Sequence, residues 1–106
     1  MGGGRRWSDE ELVIAMEFYH KCPERMHTDS HPQCVRVAKL LNRTSSALDR
    51  TIRNIKYVDT GGTGLGNASS AIYTLTERYQ GRVDKLNEAA AAIRKQNNWA
   101  PLTCSD

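Results

Sequence analysis

"SHPQCVRVAKLLNRTSSALDRTIRNIKY", residues 30–57, decides how the rest of the chain reads. Two apolar stripes recur in it at helical spacing. Cys34, Val37, Ala38 and Leu41 form the first, with Val35 and Leu40 beside it; Leu48, Ile52 and Ile55 form the second. Residues three and four apart share one face of an α-helix, so each stripe marks one amphipathic helix. Start signals agree. Ser30 with Gln33 has the spacing of a capping box, and Pro32 suits a first turn. Thr44 is a good N-cap for the second helix. Only Asn42 and Arg43 break the pattern between them. Two helices joined this closely read as a helix-turn-helix-like unit.

The flanking sequence is helical as well. In "SDEE", residues 8–11, Ser8 and Glu11 form a capping box, and Asp9 and Glu10 put negative charge where the helix dipole favours it. Leu12, Ala15, Met16 and Tyr19 give that first helix its stripe, widened by Phe18. It should stop near Lys21, because Pro23 disfavours helical geometry at Cys22. A fourth helix is expected from about Ser69 to Tyr79, with Ile72, Leu75 and Tyr79 inward and Gly81 ending it. A fifth spans roughly 82–96, with Val83, Leu86, Ala90 and Ile93 as its stripe and Trp99 packing back. No stretch shows strand alternation and no repeat is visible. The expected fold is all-α, a compact bundle of about five helices over residues 7–98, with a disordered leader (1–6) and a C-terminal tail (99–106).

A chain of 106 residues suffices for one core. Its 39% apolar and 25% charged content is ordinary for a globular domain. The longest apolar run, "AAAAI" at 89–93, is far too short to span a membrane, and no secretory signal is visible. Three cysteines, an odd number, argue against a secreted disulfide framework, so a cytoplasmic protein is expected.

Charge is unevenly spread. Arg36, Lys39, Arg43, Arg50, Arg53 and Lys56 face Asp49 alone between positions 36 and 58. Six cations less one anion make that segment +5 in a chain of net +3. Such concentration suggests an anionic partner, most commonly nucleic acid. The third helix is the best candidate surface. Off its apolar stripe it carries Ser45, Ser46, Asp49, Arg50, Arg53, Asn54 and Lys56. A helix fits the major groove of double-stranded DNA, where arginine bonds guanine and asparagine bonds adenine. Serines at a helix start suit phosphate contacts. Arg43 and Thr44 at the turn, Arg5 and Arg6 in the leader, and Gly64, Asn67 and Ser69 in the glycine loop complete the set. An ordinary solvated polar face would also satisfy the pattern on this helix.

Other chemistries fit less well. His20, Cys22, His27, His31 and Cys34 offer five zinc ligands in fifteen residues, but their spacing matches no standard knuckle and there is no CxxC. Cys22 and Cys34 read equally well as small core residues. Nothing assembles a nucleophile, a base and an oxyanion site, so no enzyme is expected. The loop "GGTGLG", 61–66, lacks the GK[ST] ending of a P-loop and the strand context of a dinucleotide fingerprint. No metal or cofactor is expected.

"WSDEELVIAMEFYHKCP", then a His, "VAKLLNRTSSAL" and "GLGNAS" occur in an order that closely resembles the N-terminal helical domain of many bacterial HNH-type restriction endonucleases. The resemblance covers roughly residues 7–79. Matching positions include Pro23, His27, Ala38, Leu40, Leu41, Arg43, Thr44, Ser46, Asn54, Asp59, Gly64, Leu65, Asn67, Ala68 and Ser69. It implies a DNA-binding or DNA-sensing domain that directs a nuclease, including one aimed at modified DNA. No HNH signature stands in this chain, so cleavage is not implied. Cys22 and Cys34 occupy positions usually aliphatic in the family, and Arg50 and Arg53 make this third helix more basic than usual. The fifth helix lies outside the resemblance. "RRWSDEE" and "LLNRTSSAL" bear a weaker likeness to Myb/SANT domains. The alternative function is a protein-interaction module of a regulatory or phage-type protein, docking through the first or the alanine-rich fifth helix, with a homodimer as one form.

Overall fold

Ser8 begins the helical body. Its Oγ accepts the Glu11 N–H at 3.1 Å, and its own N–H donates to Glu11 Oε1 at 2.9 Å, closing the capping box. Helix α1, Asp9–Lys21, follows in the computed structural model, which describes residues 6–62 and 69–105. It ends as read, with Cys22 extended ahead of Pro23. Every residue from Glu11 to Phe18 is buried, more than the single stripe implies. The reason is position: α1 is the central helix, and three others pack around it.

A short 3-10 turn, Glu24–His27, leads to α2, Pro32–Leu40. The expected Ser30 cap is not used. His31 is the N-cap, its Nδ1 accepting the Gln33 N–H at 3.0 Å. Pro32 occupies the first helical position and holds the residue before it extended, so the cap falls on His31. Gln33 is buried and its side chain turns elsewhere, accepting from Arg36 at 2.7 Å. Asn42 takes a left-handed conformation, φ 58°, that asparagine tolerates better than most residues. Thr44 then caps α3, Ser45–Asp59, accepting the Ala47 N–H at 3.1 Å. Gly61, φ 77°, turns the chain out of α3. Ser69 caps α4, Ser70–Tyr79, and α5 runs Val83–Gln96.

The fold is therefore an all-helical bundle of five α-helices, and no strand occurs among the described residues. Phe18, Leu12, Ile14, Met16, Leu48, Ile55 and Leu86 are the largest apolar groups sealed in its core. Val83 departs from the expected stripe: it is 41% exposed, and the buried face of α5 starts a turn later at Leu86. No helix is long and apolar enough to cross a membrane among the described residues.

Residues 99–105 are fastened to the bundle. Trp99 and Leu102 pack on the core, and Arg94 Nη1 donates to Ala100 O at 2.9 Å. Cys22 and Cys104 form a disulfide, Cα–Cα 5.5 Å, across 82 positions. An odd cysteine count argues against a disulfide framework, yet one bridge joins two of the three cysteines. The count says nothing of distance, and the course of the tail brings Cys104 to the end of α1. Cys34 is the remaining thiol.

Candidate nucleic-acid interface

The buried residues of α3 are Leu48, Thr51, Ile52 and Ile55. At about 100° per residue, the opposite stripe is Ser46, Arg50, Arg53 and Tyr57. Ser46, Arg50 and Arg53 are exposed. Asn54 flanks the stripe on one side, half-buried; Asp49 and Lys56 flank it on the other. Five of the expected contact residues thus gather on one outward surface: Ser46, Arg50, Arg53, Asn54 and Lys56.

These residues differ in how they are held. Arg50 makes no ion pair among the described residues. Arg53 Nε donates to Asp49 Oδ1 at 2.8 Å, and Lys56 pairs with Glu24. Asp49 Oδ2 accepts the backbone N–H of Asp29 at 3.0 Å, while Asp29 Oδ2 accepts from Ser46 Oγ at 3.2 Å. Sequence reasoning missed Asp29 entirely. It lies 17 and 20 positions from its partners, in a connection with no periodic signal.

Other expected contact residues work inside the fold. Arg43 stacks over the Trp7 ring at 4.6 Å, binds both Glu11 carboxylate oxygens at 2.9 and 3.0 Å, and donates to Arg6 O at 3.0 Å. Its side chain is only 10% exposed, so Arg43 neutralises a sheltered carboxylate rather than meeting solvent. Thr44 and Ser69 are helix caps, and the carbonyl of Ser45 accepts the Cys34 thiol at 3.8 Å. Arg6 is exposed. Arg5, Gly64 and Asn67, with most of the glycine loop, lie outside the described residues. Arg36 is tied to Ser105 O at 2.9 Å and Ser105 Oγ at 3.2 Å.

The His/Cys group does not converge. No three potential metal ligands gather among the described residues. Cys22 is in the disulfide, His31 caps α2, and His27 is buried against Phe18, its Nε2 2.9 Å from Cys22 O. Burial lowers the His27 pKa, opposed by the carbonyls of Cys22 and Phe18, so the ring is held toward its neutral form. Burial, with the charges of Asp49 and Asp29, pushes the Cys34 thiol up to about 11. A thiol so placed is a poor nucleophile at neutral pH. Tyr19 donates to Asp59 Oδ2 at 2.9 Å, and burial first, then that bond, raises its pKa to about 12.

No protein-family model, curated protein or solved structure matches this chain.

Proposed function

We propose that this chain is a DNA-binding module in which α2, the turn 41–44 and α3 act as a helix-turn-helix-like unit. One observation carries the reading: the face of α3 turned away from the core is exposed and cationic, with Arg50 at its centre and Arg53 beside it. Arg50 reaches the groove unencumbered. Lys56 exchanges an exposed carboxylate partner, Glu24, for DNA at small cost, because such pairs are weak in water, and the Arg53 side chain is 78% exposed. Asn54 has the side chain for an adenine edge. The module binds and does not cleave.

The likeness to the N-terminal domains of HNH-type restriction endonucleases supports the same reading, with a separate nuclease as a partner and modified duplexes among the targets. Several positions that carry the likeness, His27, Arg43 and Asp59 among them, are engaged within the fold. They speak for a shared scaffold more than for a shared ligand. DNA is met in the cytoplasm, where most thiols stay reduced. There the tail would rest on Trp99, Leu102 and its hydrogen bonds to Gln33, Arg36 and Arg94.

A mobility-shift titration on unmodified and methylated duplexes, at low and moderate salt, tests the proposal. Binding should weaken steeply with salt, and Arg50→Ala with Arg53→Ala should weaken it at least about tenfold and flatten the salt dependence. Absence of binding to every duplex would overturn it.

A second reading, a protein-interaction module, keeps only α5 as its surface. Residues 11–18 of α1 are buried and unavailable, whereas Ala91 and Ala92 of α5 are exposed and Val83 is 41% exposed. Small residues there permit close helix approach, including a homodimer. Light scattering and nucleic-acid-free pull-downs distinguish the two readings.

A further inference from the structure

We infer that Asp49 is a positioning residue that holds Arg53 ready for the Hoogsteen edge of a guanine; this rests on the proposed function and assigns a base class to that site. The inference starts from an asymmetry within one ion pair. The Arg53 side chain is 78% exposed, while that of Asp49 is 13% exposed. Asp49 is anchored from two sides. Its Oδ2 accepts the Asp29 N–H at 3.0 Å, and its Oδ1 accepts Arg53 Nε at 2.8 Å. Asp29 is bonded in turn by Ser46 Oγ at 3.2 Å, one turn earlier on the same face of α3. The chain Ser46–Asp29–Asp49–Arg53 therefore ends on an exposed guanidinium.

Which nitrogen is used matters. Nε bonds Asp49, which leaves both Nη nitrogens at the tip of a planar group. Guanine presents two acceptors, O6 and N7, to the major groove, and a guanidinium can bond both at once. A lysine at position 53 would bring charge without that planar fork. An arginine whose rotamer is already selected also loses less side-chain entropy on binding.

Charge points the same way. Asp29 and Asp49 put two carboxylates beside the first half of α3, where they repel a phosphate backbone. A base edge carries no formal charge, and a carboxylate near a guanine-reading arginine can accept from the N4 amine of the paired cytosine. The acidic neighbours thus disfavour phosphate contact at this end of α3 and suit base contact. Lys56, two turns beyond Asp49, and Arg50, with no carboxylate partner among the described residues, are left for the backbone or for neighbouring bases.

The test is a selection of bound sequences from a random duplex pool, run with the full chain, Asp49→Asn and Arg53→Lys. Thermal melting confirms that each variant folds. The parent should select guanine at one fixed position. Asp49→Asn should lose that preference by about tenfold while binding non-specific duplex more tightly, since a negative charge is gone. A residue that merely supported the fold would weaken specific and non-specific binding together. Arg53→Lys should lose the guanine preference as well, and it stays informative if Asp49→Asn fails to fold. Selection without guanine by a parent that binds DNA overturns this inference and leaves the proposed function standing. A folded Asp49→Asn that keeps the preference does the same. A parent that binds no duplex overturns both.

Discussion

Arg94–Glu17 and Arg53–Asp49 are both arginine–carboxylate pairs with a closest contact of 2.8 Å, and they sit in opposite surroundings. The first is sealed between α5 and α1, its side chains 7% and 4% exposed. Glu17 Oε1 takes both Nε and Nη2 of Arg94, and Lys21 approaches Oε2 at 3.6 Å. The second lies on the outer face of α3 with its arginine in water. Burial decides what each pair is for. A sealed pair cannot lose one member without stranding a charge, so it belongs to the fold. A solvated arginine keeps its outer nitrogens in water, so it is available to a ligand.

The comparison breaks first at the sealed pair. Arg94→Ala should destabilise the chain by about 3–5 kcal/mol, because Glu17 is left buried without its partner. Glu17→Leu with Arg94→Met should cost clearly less than Arg94→Ala alone, read by denaturant melts of all variants. If the double variant is as unstable as the single one, the loss lies in packing rather than in stranded charge.

The disulfide comes next. It fastens the tail on the sealed side, closing a loop of 82 positions. Cys104→Ser should lower stability by about 2–4 kcal/mol under oxidising conditions, and a reductant should bring the parent down to the same value. It should leave DNA binding by α3 in place once the chain is folded. The smallest effect is expected on the open side. Arg50→Ala and Arg53→Ala together should shift stability by no more than about 0.5 kcal/mol, although they remove most DNA affinity. A large drop in melting temperature would show that α3 needs those arginines to fold and would blur the distinction between the two surfaces.

The sequence made the helices legible and left their partners hidden. Ser8 and Thr44 are caps where the pattern put them, and Leu48, Ile52 and Ile55 face inward as their spacing requires. Ser30 failed because proline geometry moved the cap by one residue. The candidate surface was readable in part. Arg50 and Arg53 are outward, but Arg43 is drawn in toward Trp7 and Glu11. Nothing in a run of basic residues distinguishes an arginine that meets solvent from one that neutralises a sheltered glutamate 32 positions away.

Composition and spacing by themselves determined five helices, most of their ends and the basic character of the third, because caps and stripes act within four residues along the chain. Tertiary structure alone decided that α1 is central and that Glu17 has Arg94. It also decided that Cys22 meets Cys104 and that Asp29 braces the arginine side of α3. Those choices join residues 20 to 82 positions apart. Only the packing of whole helices brings such residues within bonding distance.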